Sequence, residues 1–213
     1  MDTLHKRGIL VILSGPSGAG KGTICKALLE KNENLLLSVS ATTRSPRVGE
    51  VEGVNYYFIS KEEFKKRITN DGFIEYAEVY GNYYGTPESN VEEMLENGKD
   101  VILEIDIQGA LKVKDKVKNG VFVFILPPSM EELKARIIKR GSETEESLMT
   151  RFKSAYQEIN YVSKYNYAVV NDTVDSAVRK IESIIQAEKC RVDRIKETIL
   201  ESKEGIIHEQ LYD

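Results

Sequence analysis

The chain is short of cysteine and of long apolar runs and has no excess of positive charge, and each of these removes a class of protein. Its two cysteines, Cys25 and Cys190, lie far apart and form neither a metal-ligand spacing nor a disulfide framework, so they read as reduced bystanders. The longest apolar stretches, 9–13 and 121–126, are far too short to span a membrane. Residues 1–7 carry no long apolar region of the signal-peptide kind, which predicts a protein that stays in the cytoplasm. A net charge of −4 argues against bulk binding to nucleic acid or to a membrane surface, both of which call for a basic footprint. Arginines do gather locally: Arg44 and Arg47 in one loop, Arg136 and Arg140 on one predicted helix, and Arg151 shortly after. That pattern suits a phosphate site inside an acidic shell.

With 213 residues, 41% of them hydrophobic, the chain can bury one substantial core and fits one domain with small inserted modules. Apolar runs near 9–13, 101–105, 121–126 and 167–170 read as core strands. Helical patterns at 92–97, 109–117, 130–139 and 174–187 fall between or after them, which predicts an α/β fold with a parallel sheet covered by helices. Ser129-x-x-Glu132 reads as a capping box, and Pro87 after Thr86 as the first turn of a helix. The stretch 38–86 breaks the rhythm, with strand patterns at 54–59 and 73–80 around a short helix at 62–69 that opens on Ser60-x-x-Glu63. It reads as an inserted substrate module in which Tyr76, Tyr80, Tyr83 and Tyr84 concentrate phenols. The polar stretch 139–150 reads as a mobile flap leading into a helix marked by Leu148, Phe152, Ala155, Ile159 and Val162. No internal repeat or low-complexity tract is present.

The most informative segment follows the first strand: Gly15-Pro16-Ser17-Gly18-Ala19-Gly20-Lys21-Gly22-Thr23. Glycines let the backbone turn so that several N–H groups converge on phosphate oxygens, at a helix N-terminus that adds partial positive charge, and Lys21 adds a full one. Gly15, Gly20 and Lys21 fit the phosphate-loop spacing, but the next position, where that pattern wants a hydroxyl for magnesium, is Gly22. The hydroxyl comes one residue later, at Thr23. The segment 38–50 then places Arg44 and Arg47 around the turn-forming Ser45-Pro46, and two planar guanidinium forks can grip one phosphate.

From 8 to 187 the sequence closely resembles the guanylate kinases. The likeness runs in order through 15–21, Thr42-Thr43-Arg44-Ser45-Pro46-Arg47, Gly81-Asn82-Tyr83-Tyr84-Gly85-Thr86, Glu104-Ile105-Asp106-Ile107-Gln108-Gly109 and Val169-Val170-Asn171-Asp172. The resemblance implies a P-loop three-layer α/β/α fold, with a core of 1–37, 87–138 and 151–187, a GMP-binding module at 38–86 and a lid at 139–150. It implies that ATP passes a phosphate to GMP or dGMP, as part of purine nucleotide metabolism. Ser40, Glu75, Thr86 and Asp106 would meet the guanine, and Arg44, Arg47, Tyr56 and Tyr84 the GMP phosphate. Guanine's pairing edge offers two donors beside one acceptor, so Glu75 can take both donors while Ser40 or Thr86 donates to O6. On the ATP side, the resemblance gives 15–23 and Lys21 to the donor phosphates, and Arg136, Arg140 and Arg151 to the migrating group. It sets Asn171 and Asp172 near the adenine.

Gly22 departs from the serine usual in that family and is similar instead to adenylate kinases. It leaves Mg²⁺ to ATP oxygens and waters, with Thr23 and Asp106 as the protein groups nearest to hand. Two rival readings stay open at this level: a related kinase acting on AMP or a ribose phosphate, and a catalytically dead module that binds phosphorylated proteins in the GMP cleft. The segment 188–213, where Val192, Ile195 and Ile199 extend the stripe of Ile181 and Ile185, either packs on its own core or forms a homodimer contact.

Overall fold

The computed structural model describes residues 7–139 and 145–195, and within that second stretch the side chains of 145–148, 150 and 151 lie outside the description. Nine strands and seven α-helices follow one another among the described residues. Strands β1 (Leu10–Ser14), β2 (Leu35–Leu37), β7 (Asp100–Glu104), β8 (Val121–Leu126) and β9 (Tyr167–Val170) form a parallel sheet in the order β2-β7-β1-β8-β9. Alternation along β1 sorts its side chains to two sides. Ile9, Val11 and Leu13 join α1 (Lys21–Lys31) and α7 (Val174–Lys189) in one core cluster. Leu10 and Ile12 join α3 (Glu88–Glu96) and α4 (Ile107–Lys116) in the other. Helices on both faces make the three α/β/α layers.

Because all five strands run parallel, their C-terminal ends share one edge, and the loops leaving that edge build the crevice where open α/β sheets bind ligands. Gly15 to Gly20 leave β1 there, Asp106 follows β7, and Asn171 and Asp172 follow β9.

The insert forms a second sheet from β3 (Ala41–Thr42), β4 (Tyr57–Phe58), β5 (Phe73–Val79) and β6 (Asn82–Pro87), in the order β4-β3-β6-β5. One face packs on α2 (Lys61–Thr69), whose Phe64 stacks on Phe73 at 4.3 Å and on Tyr83 at 5.3 Å between ring centroids. The helix opens as its sequence predicts, with Ser60 Oγ accepting from the Glu63 N–H at 3.1 Å. Glu63 itself does not close the box, since its carboxylate takes a hydrogen bond from Arg67 Nε. The same half-box opens α5 (Met130–Lys139), with Ser129 Oγ accepting from Glu132 N–H while Glu132 pairs with Arg136. Helix α5 packs on α6 (Glu145–Ile159) through a small cluster of Leu133, Ile137 and Ala155 with Phe152.

Several expectations change. Pro87 ends β6 and caps α3 from outside, in extended conformation, because its ring fixes φ while the residue still belongs to the strand. The strand expected at 54–59 shrinks to Tyr57–Phe58. Helix α6 stops at Ile159, and Val162 lies in the 3₁₀ turn Asn160–Lys164. The stripe of Ile181 and Ile185 does not run on, because α7 ends at its C-cap Cys190 and Val192 is 70% exposed. Ile199 lies outside the described residues, as do residues 140–144 of the polar stretch 139–150. Both cysteines are free, Cys25 buried on α1 and Cys190 exposed. Among the described residues no helix is long and apolar enough to cross a membrane.

Candidate active site

The loop between β1 and α1 is shaped by glycines that no other residue replaces. Gly15, Gly18 and Gly20 all take positive φ, and a Cβ on Gly15 would lie 2.4 Å from the Ile125 carbonyl oxygen. Gly20 forms the N-cap of α1 in left-handed conformation and offers no side chain to the N–H groups of the first turn, which therefore remain suited to an anion. Lys21 curls back over the loop, its Nζ donating to the carbonyl oxygens of Gly15 at 2.7 Å and Pro16 at 3.2 Å. These residues open on a cavity of about 180 Å³ that also takes in Glu104, Asp106 and Glu158.

Beside it lies a larger hollow of about 530 Å³, lined by Gly18, Gly20, Thr23, Arg136, Asn171 and Asp172 among others. Asn171 is 4% exposed and its amide is already committed: Nδ2 donates to the Ala19 carbonyl at 2.8 Å, inside the phosphate loop. Its role is thus to brace the loop from the β9 side as well as to floor the hollow. Asp172 is exposed, and its Oδ1 accepts from the Thr173 N–H at 2.8 Å, which with the Ser176 hydroxyl and the charge of Lys180 holds its carboxyl below the usual range. Arg136 reaches in from α5, with Nε on Glu132 at 2.9 Å and Nη2 on the Asn171 carbonyl at 3.3 Å. Thr23 belongs to this hollow and is not among the residues lining the Lys21 cavity, so the structure sets it apart from Asp106. Arg140 and the side chain of Arg151 lie outside the described residues.

The small sheet carries the other half of the site. Its register pairs Ala41 with both Tyr57 and Gly85, and Thr86 with Glu75. One step from Ala41, therefore, Ser40, Tyr56, Thr86 and Glu75 share a single row, on the face opposite the Phe64 cluster. Tyr84 stands on the same face as Tyr56, the two rings edge to face at 6.0 Å. Alternation thus splits the tyrosines that the sequence groups together. Tyr76 and Tyr83 pack on Phe64, Tyr80 is wholly exposed at a turn, and Tyr84 alone of the four faces the row.

Within the row, the Thr86 hydroxyl donates to Glu75 Oε1 at 2.8 Å. Burial raises the Glu75 pKa; the Thr86 bond opposes the rise and nearby Asp106 adds to it. Asp106 caps α4, its Oδ1 accepting from the Gly109 N–H at 2.7 Å. A Cβ on Gly109 would meet Asp106 Oδ1 and Glu75 Oε2, each at 3.4 Å, so this glycine is where the two carboxylates converge. The sequence-predicted guanine set of Ser40, Glu75, Thr86 and Asp106 is in this way gathered from three elements and a cap.

Arg44 sits at the end of the same sheet, its guanidinium 5.3 Å from the Tyr56 ring centroid and gripped end-on by Glu50 at 2.8 and 2.9 Å. These bonds raise the Arg44 pKa further and pull the Glu50 carboxyl down to about 2. Arg44 Nε is buried with no hydrogen-bond partner among the described residues. Arg47 is exposed, with its backbone N–H on Glu50 Oε2 at 2.7 Å.

Three residues with a part in this arrangement escaped the sequence reading. Glu50 was visible only as one more acid in a polar loop. Glu104 is masked as the end of a buried strand. Glu158, on α6, accepts from the Ser17 N–H of the phosphate loop at 3.2 Å, a contact across the whole chain that no local pattern signals.

Comparison with known proteins agrees with this geometry. The family described as guanylate kinase matches residues 7–188. The chain is 75% identical to a guanylate kinase of Clostridium perfringens strain SM101, with all of both chains covered. It is 73% identical to that of Clostridium tetani, with 98% of this chain and all of the relative covered. A crystal structure of guanylate kinase from Anaplasma phagocytophilum aligns with a TM-score of 0.73 at 37% identity, covering 96% of this chain and 99% of the other. The glycine loop, the polar row of the small sheet and these relatives together show that the chain belongs to the guanylate kinase family.

Proposed function

We infer that the protein transfers the terminal phosphate of ATP to GMP, and to dGMP, releasing ADP and the nucleoside diphosphate. The observation that carries this reading is the row of Ser40, Thr86 and Glu75 with Asp106 beside it, Asp106 also lining the cavity of Lys21. An ionised Glu75 accepts from guanine N1–H and the exocyclic amine, and a hydroxyl of the row donates to O6. Adenine presents an acceptor at N1 and a donor at C6, and so leaves these groups unpaired. Sites of that kind discriminate by roughly 10⁴-fold or more.

An oxygen of the GMP phosphate attacks the γ-phosphorus of ATP; the new O–P bond forms as the bond to the β–γ bridging oxygen breaks, and ADP leaves with that electron pair. The attacking phosphate is mostly a dianion near pH 7, so no general base is required. Catalysis is positioning and neutralisation of charge. The Nε edge of Arg44, with Arg47, holds the acceptor phosphate, with Tyr56 and Tyr84 beside it. Lys21 and the loop N–H groups hold the donor phosphates, and Arg136 reaches the same loop. Arg140 and Arg151 complete the cationic set when the 139–150 segment closes as a lid and excludes water. The adenine lies in the hollow floored by Asn171 and Asp172.

Magnesium suits the donor chemistry here, because the cavity between Lys21 and Asp106 presents carboxylate oxygens, the hard ligands it prefers. Among the described residues no group of three acidic, histidine or cysteine side chains forms a metal cage, so the ion arrives with the nucleotide. When bound it offsets charge on the β- and γ-phosphates.

A dead protein-binding module would be expected to have an eroded phosphate loop, whereas here Gly15, Gly18, Gly20 and Lys21 keep theirs. The deciding experiment is ADP formation from Mg·ATP with GMP, dGMP, AMP, CMP and UMP in turn. Turnover with GMP and dGMP supports the reading; turnover with none of them overturns it in favour of the binding module.

A further inference from the structure

Strand β5 lies at the outer edge of the small sheet, so β6 is its only partner strand among the described residues. It also carries a bulge: Phe73 pairs with Pro87 and Glu75 with Thr86, so that Ile74 has no position opposite it. A bulge of this kind re-aims the side chains around it. Phe73 and Tyr76 both reach Phe64 on one side of the sheet, whereas Ile74 enters the core cluster of Ala110 and Val113, and Glu75 joins the polar row. The placement of Glu75 therefore depends on what holds the bulge.

Helix α4 supplies that hold. Lys116 Nζ donates to the Phe73 carbonyl at 2.9 Å, and Lys112 Nζ, one helical turn earlier, donates to the Tyr76 carbonyl at 2.7 Å. The two ammonium groups thus fasten the backbone on either side of Ile74 and Glu75. Lys116 also pairs with Asp71, just before β5, and with Glu88, just after β6, each at 2.9 Å. Surface lysines are ordinarily held by water, but the Lys116 side chain is only 27% exposed. The same helix opens on Asp106. One rigid element carries one carboxylate of the guanine set at its cap and grips the strand that carries the other.

We propose that Lys112 and Lys116 are positioning residues for guanine recognition, which hold the bulge of β5 against α4 and so set Glu75 in place beside Asp106. This role rests on the GMP reading above. Neither lysine touches the nucleotide; both act through the backbone that bears Glu75. Lys112 also adds a positive charge that favours the ionised form of Glu75, against burial and the charge of Asp106.

The test is steady-state kinetics of Lys112→Met, Lys116→Met and the double variant, each beside its arginine counterpart, with GMP and ATP varied in turn. The methionine variants should raise the KM for GMP, by roughly 10-fold in the double variant, while kcat and the KM for ATP stay near parental. Lys112→Arg, which keeps the charge and the donors, should recover most of the loss caused by Lys112→Met. A helix–strand contact with no part in recognition would lower the melting temperature and leave the KM for GMP in place; that result overturns the proposal, and so does an equal rise in both KM values. If Lys116→Met fails to fold, as a thermal melt would reveal, Lys112→Met and Lys112→Arg decide alone. Absence of GMP turnover in the parent overturns the guanylate kinase reading and this role with it, whereas parental turnover that the methionine variants leave unchanged overturns this role alone.

Discussion

Glu50 holds Arg44 by the end of its guanidinium, at 2.8 and 2.9 Å, with that guanidinium 5.3 Å from the centre of the Tyr56 ring. On the proposed reading, the acid therefore positions the arginine that holds the GMP phosphate. Glu50→Gln should raise the KM for GMP by about 10-fold with little change in kcat, because a charge-assisted pair is worth more than a neutral one. Arg44→Lys should cost over 100-fold in kcat/KM, since an ammonium cannot replace a planar fork. Steady-state kinetics separates the two. With the Glu50 carboxyl down at about 2, the pair persists as pH falls through the ordinary carboxylate range and is lost only near that value.

Glu75 titrates the other way. Burial favours its neutral form and raises its pKa above the ordinary glutamate range, so the ionised acceptor proposed for guanine disappears at a higher pH than for an exposed glutamate. The KM for GMP should therefore rise on the acid side while the KM for ATP does not. Thr86 opposes this rise in pKa through its 2.8 Å bond. Thr86→Val should move the acid limb to higher pH, which a pH profile of kcat/KM for GMP would register; a shift to lower pH would contradict the assignment.

Asn171 ties β9 to the phosphate loop through Ala19. Asn171→Ala leaves that carbonyl without its partner and should cost about 1–3 kcal/mol of stability, seen in a chemical denaturation curve, with a higher KM for ATP. Gly20→Ala attacks the same joint from the other side, because its Cβ would stand 2.4 Å from Asn171 Nδ2 at a φ of +94°. It should abolish measurable ATP binding by calorimetry.

Glu158 brings a negative charge from α6 to the Ser17 N–H, on the loop proposed to hold the ATP phosphates. On the proposed reading, ATP binding has to displace this charge. Glu158→Gln should lower the KM for ATP several-fold, and an increased KM would instead identify the carboxylate as a support for the loop.

Much of this was legible in the sequence because it is local. The glycine loop announces itself in nine consecutive residues, β8 in an unbroken apolar run, and α5 in Ser129 and Glu132. What was not legible depends on pairing at a distance. Strand β2 is three leucines at a sheet edge, β3 is two residues long, and neither has a pattern before its neighbours exist. The row of Ser40, Tyr56, Thr86 and Glu75 is a product of register, and so is the separation of Tyr84 from Tyr76 and Tyr83. Thr23 shows the same limit from the other side: two residues after Lys21 at the helix start, it is carried by the helical turn into a different hollow.

The central claim is that the polar row reads guanine. Its most direct test is the ratio of kcat/KM for GMP to that for AMP, measured in the parent and in Glu75→Gln. The account predicts a parental ratio of roughly 10⁴ or more that falls at least 100-fold in the variant, through loss of GMP turnover. A parental ratio near unity, or a ratio untouched by Glu75→Gln, would contradict it.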